Sequence, residues 1–500
     1  MIGIALMLFG AAAAAAPCES LTSLKLDKAS ITSAQMVAEG PAPVRQGGQR
    51  GAPAGANPPP APATIPAHCR VQLVLTPTSD SLINMELWLP LLDNWNGKFM
   101  GVGNGGFAGS IQGLTNEMPQ ALRLGYATAG TDTGHQEQGG AWAIGHPEKM
   151  IDFGYRATHE MTLKAKQIVK AFYERSPQYS YFKGCSTGGR MALMEAQRYP
   201  DDYDGIIAGS LANRHIHMWT AGIERSIDLS RHPEQAITME QAALVNNLVM
   251  STCDTLKEGF LNNPRSCKVD FSALKCQGGS AEGSCLTEPQ LKTVETFYGG
   301  VKNSKGELIF SGQALGNPIG AQRPTNQPGG VFDLVRIAYN DPDFDWHKFD
   351  LDRDMKFLDE KIGYVDAVNP DLSKFKASGG KLLITHGWSD TGITPETSIW
   401  YYGAVLNKMG ANQSDWVRLF MAPGMGHCGG GPGVNTFDSI GTLEKWVEKG
   451  VAPDTMLGTG AQGFTRPLCP YPQYAEYQGR GELKDGANWA CKAPAPPSTR

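Results

Sequence analysis

The run Tyr179-Ser180-Tyr181-Phe182-Lys183-Gly184-Cys185-Ser186-Thr187-Gly188-Gly189-Arg190 constrains this chain more than any other stretch. Strand-like residues lead into it, and residues 191–198, helical in character, lead out. At its centre Gly184-x-Ser186-x-Gly188 has the strand–turn–helix setting of a nucleophile elbow, where glycines two residues either side let strand and helix approach closely. Such a turn lifts the Ser186 hydroxyl clear of a sheet and aims the next backbone N–H at the same space. In a chain with 60 glycines the motif alone is weak, and a plain Gly-rich turn reads the same. The rest of the chain has to decide.

Five hundred residues exceed what one compact core usually holds, so two domains or one with a large insertion are expected. A 41% hydrophobic and 19% charged composition is that of a globular protein. Forty-four basic against 49 acidic residues leave −5 and no long basic run, which argues against a nucleic-acid partner. The one long apolar run, residues 1–16, is too short to span a membrane and ends in alanines. It reads as a secretory signal peptide, so a secreted or periplasmic chain is expected. Ten cysteines are an even number, which in an exported chain suggests five disulfides, and none has the CxxC spacing of a metal site. Cys253 and Cys267, Cys276 and Cys285, and Cys469 and Cys491 are local pairs, but the connectivity stays open.

Around the elbow, strand-like and helical stretches alternate. Residues 18–39 are mixed, with Ala34-Gln35-Met36-Val37 reading as a short helix. Residues 40–66 are rich in Pro, Gly and Ala, cannot bury a core, and read as an exposed loop that Cys18–Cys69 could close. Arg70-Val71-Gln72-Leu73-Val74-Leu75 and Ile83-Asn84-Met85-Glu86-Leu87-Trp88-Leu89 suit an antiparallel strand pair. Lys98-Phe99-Met100-Gly101-Val102 runs into Gly103-Asn104-Gly105-Gly106-Phe107, where an elbow enzyme places its second oxyanion donor. A dinucleotide loop is the competing reading, but no βαβ unit with a ribose-binding acid follows. Tyr126-Ala127-Thr128-Ala129 and Gly205-Ile206-Ile207-Ala208-Gly209 are further short strands, and residues 151–173 have a helical period. His159, on that helix, is read as a satisfied helix histidine. The alternation predicts an α/β fold with a mostly parallel sheet and crossover helices.

The alternation stops over residues 213–373, far longer than a loop between core strands, so an inserted lid domain is expected there. The core then resumes, giving a catalytic domain of residues 17–212 and 374–500. Gly380-Lys381-Leu382-Leu383-Ile384-Thr385-His386-Gly387-Trp388-Ser389-Asp390 is a buried-type strand that delivers an acid beyond its end. A helix over 395–409, a strand at Val417-Arg418-Leu419-Phe420, the loop Met425-Gly426-His427-Cys428-Gly429 and a helix over 442–449 complete the pattern.

Ester cleavage through a covalent intermediate needs a nucleophile, a base to take its proton and an acid to orient the base. Ser186, Asp390 and His427 each fall in a loop after a strand, in the chain order Ser…Asp…His expected of an α/β-hydrolase. Oxyanion donors would be the N–H of Thr187 and one from Gly105 or Gly106. Cys185 precedes the nucleophile and Cys428 follows the base; if Ser186 and His427 share a hydrogen bond, these neighbours come within disulfide reach. Two buried free thiols are the alternative.

These residues resemble the tannase/feruloyl esterase family, which includes the mono(hydroxyethyl) terephthalate hydrolases. The likeness spans nearly the whole mature chain and rests on Trp95-Asn96-Gly97-Lys98-Phe99, Gly103-Asn104-Gly105-Gly106-Phe107, Thr131-Asp132-Thr133-Gly134-His135, Gly184-Cys185-Ser186-Thr187-Gly188-Gly189-Arg190, Tyr203-Asp204-Gly205-Ile206-Ile207, His386-Gly387-Trp388-Ser389-Asp390 and Gly426-His427-Cys428. The resemblance implies an α/β-hydrolase core with a lid, the triad Ser186, Asp390 and His427, and a Cys185–Cys428 disulfide beside it. It implies small-molecule substrates, esters of gallic, ferulic or other hydroxycinnamic acids or terephthalate monoesters, with no cofactor required. The family also has a calcium loop in the lid. Here Cys253-Asp254-Thr255-Leu256-Lys257-Glu258-Gly259-Phe260 is about three residues short and carries Lys257, which argues against a normal calcium site.

Which ester is cleaved stays open. Trp219, Phe332, Tyr339 and Trp346 are lid aromatics that could stack on a ring but read more readily as core. Arg323 and Arg336 are the candidates for a carboxylate-binding arginine, which would favour terephthalate monoesters. An amidase or peptidase with the same triad, and a catalytically inactive binding protein on this scaffold, are the competing readings.

Overall fold

The computed structural model describes residues 15–44, 62–137, 139–278, 283–325 and 332–494. The expected signal peptide lies outside the described residues except for Ala15 and Ala16, which pack against the main core. Residues 45–61 of the Pro/Gly-rich loop also lie outside them. The ends of that loop meet where Gly40–Pro41 pairs with Thr64–Ile65, beside a Cys18–Cys69 disulfide.

Nine strands form the central sheet: β1 (Ala29–Val37), β2 (His68–Leu75), β3 (Ile83–Pro90), β4 (Lys98–Val102), β5 (Ala127–Thr131), β6 (Tyr179–Cys185), β7 (Gly205–Gly209), β8 (Lys381–Gly387) and β9 (Val417–Ala422). Their order is β1-β2-β3-β5-β4-β6-β7-β8-β9. Every neighbouring pair from β5 to β9 is parallel, and the pairs from β1 to β5 are antiparallel. This is the mostly parallel α/β sheet the alternation predicts, in the α/β-hydrolase architecture that the chain order and the family resemblance imply. The composition of the strands accounts for the division. Every residue of β5 and β7 is buried, as parallel strands covered by helices on both faces must be. β2 instead alternates between buried and partly exposed positions and pairs as a hairpin partner of β3.

Residues 34–37 are strand, not helix: they belong to β1 and pair with His68, Cys69, Arg70 and Val71 of β2. A short segment of weak helical preference yields to an edge ladder, because the packing of the sheet outweighs so small a propensity.

Helices Ala157–Tyr173 and Thr187–Arg198 cover one face of the sheet, where Phe99, Phe182, Ile206, Leu382 and Leu419 join one apolar core. Helix Ser439–Lys449 covers the other, with Leu443 and Trp446 in one cluster with Tyr181, Leu383 and Phe420. Each such side chain contributes about 2 kcal/mol on burial. The helical period over 151–173 is interrupted by a π-turn at Asp152–Arg156. Fully buried Arg190 accounts for it: its guanidinium donates to the Phe153 carbonyl at 3.0 Å, the Gly154 carbonyl at 2.7 Å and the Val365 carbonyl at 3.0 Å.

Between β7 and β8 the chain leaves the sheet and forms helices His215–Arg231, Met239–Cys253, Glu288–Gly299, Asp333–Tyr339 and Leu351–Ile362. Val245, Leu291, Val294 and Ile319 form an apolar cluster of their own. Ile216, Ile227, Leu334 and Leu358 share another with Trp142 and Phe153, which precede the elbow. Two disulfides, Cys253–Cys267 and Cys276–Cys285, close loops inside this segment, and Cys469–Cys491 closes the C-terminal segment.

Candidate active site

The elbow is built from close backbone contacts. Ser186 sits between β6 and helix Thr187–Arg198 with φ 64° and ψ −125°, a left-handed conformation that non-glycine residues rarely hold. A Cβ on Gly184 would lie 2.2 Å from the Gly188 carbonyl oxygen, and one on Gly188 would lie 2.8 Å from the Asn104 carbonyl oxygen. Only glycine fits at either place, so the strand, the helix and the loop after β4 converge on Ser186. The Ser186 N–H donates to the Gly209 carbonyl at 3.0 Å and so ties the turn to β7.

Asp390 and His427, the candidate acid and base, come from the loops after β8 and β9. Asp390 is fully buried, and its Oδ1 accepts the N–H groups of Gly392 at 2.9 Å and Ile393 at 2.8 Å. Its Oδ2 accepts from Nδ1 of His427 at 2.8 Å. A carboxylate can only accept, so Nδ1 carries the proton and Nε2 of His427 is left as the base. Burial alone would raise the Asp390 carboxyl, but hydrogen bonds from His386 and His427 outweigh it and hold the group well below the usual carboxylate range.

His386 is the participant that sequence reasoning passed over. It is fully buried at the end of β8, with Nε2 3.2 Å from Asp390 Oδ2 and from the Ile393 carbonyl, and Nδ1 2.7 Å from the Ser398 hydroxyl. Its place in the motif His386-Gly387-Trp388-Ser389-Asp390, four residues before the acid, was the signal available.

Ser186 and His427 open into one cleft of about 1500 Å³, together with Gly106, Phe107, Lys183 and Met425. A disulfide joins Cys185 to Cys428 with Cα atoms 5.9 Å apart, so the residue before the nucleophile is bonded to the residue after the base. No hydrogen bond links Ser186 Oγ to His427 among the described residues; in unliganded sites such bonds are often long and tighten on substrate binding.

The two oxyanion candidates after β4 differ. The Gly105 N–H donates to Gln112 Oε1 at 3.0 Å. Gly106 has a left-handed φ of 60°, and its carbonyl accepts from the Thr187 hydroxyl at 2.7 Å, tying this loop to the start of the elbow helix. Thr187 is the first residue of that helix, where the N–H has no intrahelical acceptor and the helix dipole favours negative charge.

Of the four aromatics expected as stacking candidates, Trp219 meets a cleft residue, Phe107, edge to face with ring centres 4.0 Å apart. Phe332 is buried, Tyr339 donates to Asp354 at 2.6 Å, and Trp346 stacks on His347. Neither Arg323 nor Arg336 lines the cleft, and Arg336 pairs with Asp333 at 3.1 Å. His159 pairs with Asp202 at 2.6 Å and stacks on Tyr199. With Glu195 these two form the one group of acids and histidines, among the described residues, close enough to hold a metal ion; Lys166 lies beside it. In the loop after helix Met239–Cys253 the carboxylate of Asp254 accepts the N–H groups of Glu258 at 3.1 Å and Gly259 at 2.8 Å, and Glu258 pairs with Arg466. Those acids do not fit a calcium ion, which takes six to eight oxygen ligands.

A family model described as "Tannase and feruloyl esterase" matches residues 69–492. An uncharacterized esterase of Xanthomonas campestris pv. campestris is 33% identical, over 96% of this chain and 92% of its own length. Feruloyl esterase B of Aspergillus niger is 30% identical, over 85% of this chain and 86% of its own. The crystal structure of feruloyl esterase B from Aspergillus oryzae superposes with a TM-score of 0.83 at 30% identity, covering 95% of this chain and 99% of that one.

Proposed function

This chain belongs to the tannase and feruloyl esterase family, an esterase by that membership, and from this premise we propose that Ser186, His427 and Asp390 cleave esters of aromatic acids through an acyl-enzyme. The observation that carries the reading is the Asp390–His427 hydrogen bond of 2.8 Å, joined through the Cys185–Cys428 disulfide to a nucleophile held in a left-handed turn.

In this reading Nε2 of His427 takes the Ser186 proton as Oγ attacks the ester carbonyl. The N–H groups of Thr187 and Gly106 receive the oxyanion, each contributing about 3 kcal/mol to the barrier reduction. His427 then gives its proton to the leaving alcohol as the C–O bond breaks. Water, deprotonated by the same nitrogen, attacks the acyl-enzyme; the acid leaves and Ser186 recovers its proton. Asp390 stays ionised throughout and stabilises the imidazolium. No cofactor enters these steps.

The acyl group we assign is a phenolic acid, feruloyl, another hydroxycinnamoyl or galloyl, rather than terephthalate. Arg323 and Arg336 stay out of the cleft, so no arginine among the described lining residues offers a two-point cradle for a second carboxylate; Lys183, the one lysine there, donates to Gln120 at 2.7 Å. Phe107 lines the cleft instead, with Trp219 packed edge to face on it. We read residues 213–373 as an inserted lid, and five disulfides support a secreted or periplasmic location.

An active-site phosphonate tests the mechanism. It labels Ser186, located by peptide mass spectrometry, and fails to label Ser186→Ala; labelling elsewhere, or none in the unmodified enzyme, removes the nucleophile assignment.

A further inference from the structure

Arg466 lies outside the cleft and is fully buried, in the short strand Thr465–Leu468. Its guanidinium meets the Glu258 carboxylate at two points, Nη2 to Oε1 at 2.8 Å and Nη1 to Oε2 at 3.3 Å. Nη1 also donates to Asn262 Oδ1, and Nη2 to the Leu483 carbonyl at 3.1 Å. The guanidinium carbon lies 3.3 Å from the centre of the Trp489 ring. Only Nε has no partner among the described residues. One cation therefore joins the loop closed by Cys253–Cys267 to the C-terminal segment closed by Cys469–Cys491.

The loop that Arg466 holds bears on the catalytic base. Phe260, two residues beyond Glu258, is buried, and its ring abuts two backbone positions: a Cβ on Gly424 or on Gly433 would come within 2.9 Å of it. Gly424 and Gly433 form the neck of the loop that carries His427. The Gly433 N–H donates to the Gly424 carbonyl at 3.2 Å, and the Val434 N–H to the Pro423 carbonyl at 2.9 Å. Phe260 therefore packs against the neck from which His427 is presented.

We propose that Arg466 is a built-in cation that takes the place of a metal ion in the lid loop and acts as a positioning residue for His427 through Glu258 and Phe260. The guanidinium suits the task because its planar fork satisfies a carboxylate at two points, its charge is permanent, and its face packs on an aromatic ring. Both oxygens of Glu258 accept from Arg466 and both of Asp254 accept backbone N–H groups, so the two acids of the loop are held by the chain's own donors. The positioning part rests on the role assigned to His427; the cation part does not.

Thermal unfolding and ester hydrolysis by the full chain, with EDTA or with millimolar calcium, test both parts beside Arg466→Ala and Arg466→Lys. Neither EDTA nor calcium moves the Tm of the unmodified enzyme. Arg466→Ala lowers it by roughly 5 °C, because a buried carboxylate loses its partner. In that variant kcat falls roughly ten- to a hundredfold with KM little changed, as a misplaced base requires. Millimolar methylguanidinium restores both Tm and kcat in part by refilling the site, and Arg466→Lys stays well short of the unmodified enzyme. A Tm that rises with calcium or falls with EDTA overturns the cation claim; a variant that loses Tm yet keeps kcat overturns the positioning claim. If Arg466→Ala does not fold, Phe260→Leu leaves the ion pair intact and reads the positioning claim alone: lower kcat at unchanged KM supports it, and unchanged kcat overturns it. Phosphonate labelling of the unmodified enzyme separates these results from a failure of the catalytic assignment, since loss of labelling there leaves the Tm readings untouched.

Discussion

Two histidines meet on one oxygen of Asp390: His427 from the cleft side and His386 from the interior. Together with two backbone N–H groups they hold the carboxyl well below its ordinary range despite its burial. A carboxyl depressed in the folded state adds stability above its unfolded value of about 4, and that stability is lost as pH falls through the folded value. Replacing it with an amide therefore has two expected effects. Asp390→Asn lowers kcat by about 10⁴-fold through the wrong imidazole tautomer. Its stability deficit against the unmodified enzyme, measured by denaturant unfolding, is widest near neutral pH and narrows as pH falls below about 4. His386→Ala removes a supporting bond and not the acid itself, so its kcat falls about tenfold, in keeping with one lost hydrogen bond to a charged group. At this scale Ser186, Asp390 and His427 were legible because motif, chain order and loop position all single them out. The role of His386 was not, since it depends on how the turn after β8 folds the chain back. The difference between Gly105 and Gly106 was hidden for the same reason: it lies in where the Gln112 side chain points.

Among the elements, the elbow and the two loops beyond β8 and β9 carry the site, and the Cys185–Cys428 bridge joins the first to the last. Ser186 is anchored in backbone hydrogen bonds to β7, whereas the His427 loop is a glycine-rich excursion tied at its neck. Removing the bridge therefore frees the base more than the nucleophile. In the double variant Cys185→Ser with Cys428→Ser, kcat is expected to fall roughly a hundredfold while KM changes little, as steady-state kinetics would show. An unchanged kcat would mean that packing alone holds the ring. Most of the sheet was readable from the sequence because its parallel strands are short apolar runs such as Leu382-Leu383-Ile384, with glycines or polar residues at their ends. β1 was misread because Ala34-Gln35-Met36-Val37 has no period of its own, and its pairing with β2 decides its state. The π-turn before helix Ala157–Tyr173 was invisible for a similar reason: the carbonyls it diverts go to Arg190, far along the chain.

Across the whole molecule, the segment between β7 and β8 packs on the loops that form the site. Asn317 donates to the Asp390 carbonyl at 2.9 Å, Thr394 donates to the Gly312 carbonyl at 2.6 Å, and Trp219 meets Phe107 at the cleft. The sequence exposed this segment only as a break in alternation, because its helices bury their faces on one another, on the short strands Val301–Lys302 and Leu308–Phe310, and on Trp142 and Phe153 rather than on the central sheet. If Trp219 is part of the acyl wall, Trp219→Ala raises KM for a phenolic ester by up to about tenfold and leaves that for an acetate ester unchanged, the size expected of one lost aromatic contact. Equal losses on both esters would place the tryptophan in packing alone. The central claim, that this cleft cleaves esters of aromatic acids at Ser186, is tested most directly by hydrolysis of methyl ferulate, methyl gallate and a terephthalate monoester, each beside Ser186→Ala. The account predicts turnover of a feruloyl or galloyl ester, little of the terephthalate monoester, and a loss of about 10⁶-fold in kcat in the variant; turnover that survives in Ser186→Ala would contradict it.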